Sequence, residues 1–117
     1  MRTWYHDSLF LLHYEHHYSP GGYPEPLSGF DPDQVRRILS TVRPDAVQYY
    51  AKGHTGYVPY PTRFDNRLPG LDDAPQFDLL GSLREITREL GIRLILGYSG
   101  LIDHRSADGR ASSVGAA

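Results

Sequence analysis

The chain has no cysteine, a single methionine and a single tryptophan in 117 residues. Without thiols, disulfides, thiolate metal sites and cysteine nucleophiles are excluded. Long apolar runs are missing too. The stretch Leu9 to Leu12 is far too short for a signal-peptide core or a membrane span, so a cytoplasmic protein is the default expectation. Charge is also sparse: the net value is −2 and the basic residues are scattered. Neither nucleic acid nor a membrane is therefore an expected partner. The sequence contains no G-x-S-x-G elbow, no P-loop and no G-x-G-x-x-G, which leaves serine-hydrolase, nucleotidase and dinucleotide-binding readings without a motif, and no cofactor is expected. The length allows one domain with a real core, but falls well short of the roughly 250 residues of a complete α/β barrel.

What the chain does have is aromatic and imidazole side chains, nine tyrosines and six histidines, many of them between Tyr14 and Tyr23 and between Tyr49 and Tyr60. Rings with a flat face and a polar tip suit ligand surfaces, sugars included, and they also suit half-buried strands.

Three short apolar runs alternate with two helical patterns. Ser8 to His13 is short and uniformly apolar, as expected of a strand buried on both faces. After a loop rich in Pro, Gly and Tyr, a helix start is written in Asp31-Pro32-Asp33-Gln34, with Asp31 as N-cap, Pro32 at the first helical position and Gln34 at the capping-box position. Val35, Ile38, Leu39 and Val42 then form one stripe, and Arg43-Pro44 ends the helix. The second run is Ala46 to Ala51. A long loop, Tyr57 to Pro75, precedes a second helix expected from about Gln76 to Leu90, with Leu80, Leu83, Ile86 and Leu90 as its stripe and Gly91 just beyond its end. The third run, Ile92 to Tyr98, follows directly. The order β-α-β-α-β implies parallel strands with right-handed crossovers. Residues 1–105 are read as the domain, and 106–117, rich in Gly, Ala and Ser, as a disordered tail.

In parallel α/β sheets, ligands bind at the carboxyl ends of strands. All three such ends carry chemistry: His13-Tyr-Glu-His-His17, Lys52-Gly-His54, and Tyr98-Ser-Gly-Leu-Ile-Asp103-His104. The opposite ends, Asp7-Ser8, Pro44-Asp45 and Gly91, read as structural. Gly53 and Gly56 would let the chain aim His54 away from the strand direction, although the same residues could make a plain solvent turn. The His13, Glu15, His16, His17 cluster invites a metal reading but lacks H-E-x-x-H spacing, and no metal is expected. Of the acids, Glu15 and Asp103 follow strands most closely and are the pair to weigh for acid/base work.

These strand ends resemble the N-terminal part of a glycoside-hydrolase (β/α)8 barrel of the α-L-fucosidase-like families (glycoside hydrolase family 29), or a related hypothetical glycosyl hydrolase family. Leu11-Leu12-His13-Tyr14 is similar to a first-strand F-x-H-W-G-like motif, with Tyr14 for Trp and Glu15 for Gly. Ala51-Lys52-Gly53-His54-Thr55-Gly56-Tyr57 is similar to A-K-H-H-D-G-F, keeping Ala, Lys, the second His, Gly and an aromatic but losing the first His and the Asp. Asp78-Leu79-Leu80, Gly91-Ile92-Arg93-Leu94 and Gly97-Tyr98-Ser99 match these families as well; Tyr57 to Thr62 matches only in flavour. The resemblance implies a partial (β/α)8 barrel, with His13 and His54 as sugar-hydroxyl ligands, Lys52 in support, and Tyr57 and Tyr98 completing a substrate-binding set. It also places the nucleophile, an Asp, at the end of a fourth strand, and the acid/base later still. The expectation is thus a truncated glycoside-hydrolase-related domain with sugar-binding residues and no catalytic carboxylates. A small non-enzymatic carbohydrate-binding protein and a His-rich metal-dependent hydrolase are the alternatives. The partner expected is a carbohydrate, with self-association through open sheet edges.

Overall fold

The computed structural model describes residues 3–14, 27, 29–71, 74, 76–101 and 103. They form a 3-10 turn (Trp4–His6), β1 (Leu11–Tyr14), α1 (Pro32–Val42), β2 (Ala46–Lys52), α2 (Leu79–Glu89) and β3 (Arg93–Tyr98). The strands make one parallel sheet in the order β1-β2-β3, so β2 is central and the alternation of apolar runs is realised as an α/β layer. The tail expected at 106–117 lies outside the described residues. Among the described residues no helix is long and apolar enough to cross a membrane.

Local chemistry sets the element ends. The Asp31 carboxylate caps α1 by accepting from the Asp33 amide. Arg43 closes that helix in the left-handed region (φ 51°), its N–H reaching Leu39 O, rather than in the extended region that a residue before proline usually takes. Helix α2 begins three residues later than Gln76, because Asp78 is the cap and accepts from the Gly81 amide at 2.7 Å. The preceding residues are instead fixed as a turn: the Arg67 guanidinium donates to the carbonyls of Leu71, Ala74 and Phe77. At the other end Gly91 takes φ 68°, its N–H bonds Arg88 O, and the Ile92 N–H reaches Thr87 O at 2.8 Å. That pair of bonds is a Schellman closure, which needs the positive φ that glycine supplies.

The core lies between the helices and one face of β2. Val47 packs with Leu39, Ile86 and Ile92, while Tyr49, wholly buried, packs with Leu79, Leu83 and two loop residues, Leu68 and Leu71. Burying each such side chain is worth about 1.5–3 kcal/mol. The α1 stripe is only half used, however. Ile38 and Val42 stay 50% and 41% exposed, Ile38 on the flank of α1 that shares a cavity with Leu12 and Tyr14 of edge strand β1.

Candidate functional site

At the carboxyl end of β2 the pairing with β3 slips. Tyr50 is level with Gly97, but Lys52, two residues on, is level with Tyr98. The extra residue, Ala51, is a bulge, a device that re-aims the side chains beyond it. The slip brings Lys52 against Tyr98, with Nζ 4.7 Å from the ring centroid, and Lys52 O accepts from the Ser99 amide. Lys52 is the chain's one lysine, and only 7% of its side chain is exposed. A buried ammonium needs a counter-charge. Asp103 supplies it, with Oδ2 2.6 Å from Nζ and 22% of the side chain exposed.

Beside this pair runs a row of three rings. The Tyr50 ring lies 5.5 Å from the His13 ring, edge-on, and 6.4 Å from the His54 ring. The histidines come from β1 and from the turn after β2, so the fold itself brings them to one aromatic. Tyr50 in turn depends on Gly97: a Cβ there would stand 2.8 Å from Tyr50 Cδ1. The turn carrying His54 closes with the Gly56 N–H on Gly53 O. Of its two glycines, Gly56 adopts positive φ (84°), which makes it the one the backbone requires. Asn66 Nδ2 donates to Gly56 O and pins the turn to the long loop.

The five residues singled out in the sequence therefore fall in three places. Lys52 and Tyr98 are in contact with each other, His13 and His54 both come close to the Tyr50 ring, and half-buried Tyr57 packs against the Tyr49 core cluster. Sequence reasoning missed Tyr50 and treated Asp103 as a possible acid, whereas its carboxylate is bonded to Lys52. It also missed Tyr60. Burial first, then the proximity of Tyr98 and Asp78, raises the Tyr60 phenol above its ordinary pKa, which sets Tyr60 beside the same strand ends. Among the described residues no group of three or more His, Asp or Glu is placed to hold a metal, and Glu15, His16 and His17 lie outside them.

No protein-family profile matches the sequence, and no curated protein does either. Solved structures do match. Over 86% of its residues the chain resembles α-L-fucosidase isoenzyme 2 from Paenibacillus thiaminolyticus, with TM-score 0.72 and 24% identity, covering 14% of that chain. The α-fucosidase of Thermotoga maritima matches 66% of this chain at 28% identity and TM-score 0.55, over 18% of its own. α-L-Fucosidase AlfC from Lactobacillus casei matches 68% at 22% identity and TM-score 0.55, over 24% of its own. The chain is thus similar to the α-L-fucosidases, as its strand-end motifs led one to expect, and it spans only 14 to 24% of the length of these three.

Proposed function

We propose that these residues are the sugar-binding portion of an α-L-fucosidase-like domain, the first β-α-β-α-β of a (β/α)8 barrel. The observation that carries the reading is the ring row: imidazoles from two different chain segments, His13 and His54, both come close to the Tyr50 ring at the carboxyl ends of β1 and β2. An imidazole can donate and accept, which matches a sugar hydroxyl, and a phenol ring offers a face to the apolar side of a pyranose. Tyr98 contributes a second, largely exposed ring, held over the Lys52 ammonium. Lys52 orders the site through Asp103 and Tyr98. Tyr57 backs the turn that carries His54. On the resemblance, the chemistry itself belongs to carboxylates of later strands.

A monosaccharide held by a few hydroxyl contacts binds with Kd of about 1 mM, roughly −4 kcal/mol. NMR titration of the 117-residue protein with L-fucose should shift the His13 and His54 imidazole resonances saturably, and His54→Ala should abolish the response. Shifts that do not saturate, or that survive His54→Ala, would refute a sugar site at these rings.

A further inference from the structure

Gly97 stands where the backbone does not ask for glycine. It lies inside β3, level with Tyr50 of the central strand, and unlike Gly56, Gly70 and Gly91 it does not take positive φ. Strand interiors favour β-branched and aromatic residues, and a glycine there often marks the close approach of another group. That group is the Tyr50 ring. A Cβ on Gly97 would stand 2.8 Å from Tyr50 Cδ1, 2.9 Å from Cε1 and 3.5 Å from Cγ, so one edge of the phenol occupies the space of the missing side chain. Carbon atoms pack best about 3.5–4.0 Å apart, so even an alanine would push that edge back by about 0.7 Å or more. The ring has neighbours that register such a shift. β1 lies on the other side of β2, and His13 pairs there with Gln48, two residues before Tyr50 and on the same face of the sheet. The His13 imidazole meets the Tyr50 ring edge-on at 5.5 Å, and the His54 ring, from the turn after β2, is 6.4 Å from it.

We propose that Gly97 is a positioning residue of this site, acting through Tyr50. By carrying no side chain it lets the phenol settle onto β3, and so sets the ring to which both imidazoles are close. β3 then helps to shape the site through a side chain it lacks. The sugar as ligand rests on the function proposed above, whereas the dependence of the ring row on Gly97 rests on the contact between β2 and β3 alone. A cross-strand pair of an aromatic ring over a bare glycine has one further consequence. The restriction at position 97 is steric, so it disappears when the residue at position 50 becomes small.

Gly97→Ala, Tyr50→Leu and the double variant test this by NMR, with near-UV circular dichroism to check folding. In the sugar-free protein the His13 and His54 ring protons sense the ring current of Tyr50. Gly97→Ala should move these signals, and Tyr50→Leu should move them by removing the ring. Adding Gly97→Ala to Tyr50→Leu should move them no further. In titrations with L-fucose, Gly97→Ala should raise Kd roughly two- to tenfold, the worth of one aromatic contact. Imidazole signals that stay in place in folded Gly97→Ala overturn the proposal, as do signals that Gly97→Ala moves equally far without the Tyr50 ring. Unchanged fucose affinity in a variant whose imidazoles have moved overturns it too. A wild type that binds no fucose refutes the sugar reading instead, and the sugar-free signals still decide the role of Gly97. If Gly97→Ala alone does not fold, the double variant should; a double variant equally unfolded would show that the glycine serves something other than the ring.

Discussion

Lys52 is an ammonium with almost no water left to solvate it, and its position follows from a register slip rather than from anything local in the sequence. Its Asp103 partner is the group that makes burial tolerable, since a charge stranded in a protein interior costs far more than its pairing gains. Asp103 keeps some contact with water, so the effect is that of a partly buried pair. Asp103→Ala should cost about 1–3 kcal/mol of unfolding free energy. Adding Lys52→Met should restore part of that loss, because the stranded charge is then gone. Urea titrations of the two single variants and the double variant complete the cycle; strictly additive losses would show that the two side chains do not depend on each other. At this scale the sequence named His13, Lys52 and His54 because their residue types stand out at strand ends. Tyr50 was illegible among nine tyrosines. What distinguishes it is the glycine opposite, Gly97, and that pairing exists only once β2 and β3 are in register.

Element ends follow the same division. Capping is local chemistry, so Asp31, Pro32 and Gly91 could be read directly. The start of α2 could not, because Arg67 pulls the residues before Asp78 into a turn through three carbonyls that no periodicity reveals. A third case lies between these. The head of β2 looked structural from sequence, and the structure supplies the reason: Asp45 Oδ2 accepts from the Leu9 and Phe10 amides, both at 2.9 Å, holding the segment before β1 to β2. Those two bonds hold the carboxyl below its ordinary pKa. A depressed folded-state pKa means the unfolded chain takes up the proton first. The contribution is therefore complete above the unfolded carboxylate value of about 3.9 and is lost as pH falls through the folded value. Urea midpoints should accordingly fall more steeply below about pH 4 for wild type than for Asp45→Asn, with the two curves converging in strong acid. Parallel curves over the whole range would mean that the carboxylate's charge plays no part in joining the two strands.

For the molecule as a whole, the decisive feature is how its carboxylates are committed. Layer order, strand direction and helix count were legible because apolar runs, helix caps and prolines report them locally. Which acids are free for chemistry was not, since that depends on what each one meets in space. Glycoside hydrolysis asks for two carboxyl groups about 5–10 Å apart across the scissile bond, one to protonate the leaving group and one to attack or to activate water. Among the described residues at these strand ends, Asp103 is bonded to Lys52, and Asp78, near Tyr60, caps α2; Glu15 lies outside them. Asp103 and Asp78 are held by structural partners, and neither can leave its partner without cost. On the proposed reading, in which the catalytic carboxylates belong to later strands, the 117-residue chain should bind sugar without turning it over. An aryl α-L-fucoside incubated with micromolar protein should release phenol at the rate seen in buffer, and an aryl galactoside likewise. Release that His54→Ala removes while the variant stays folded would show that this part of the molecule has its own catalytic pair, and would return Asp103 to consideration as an acid.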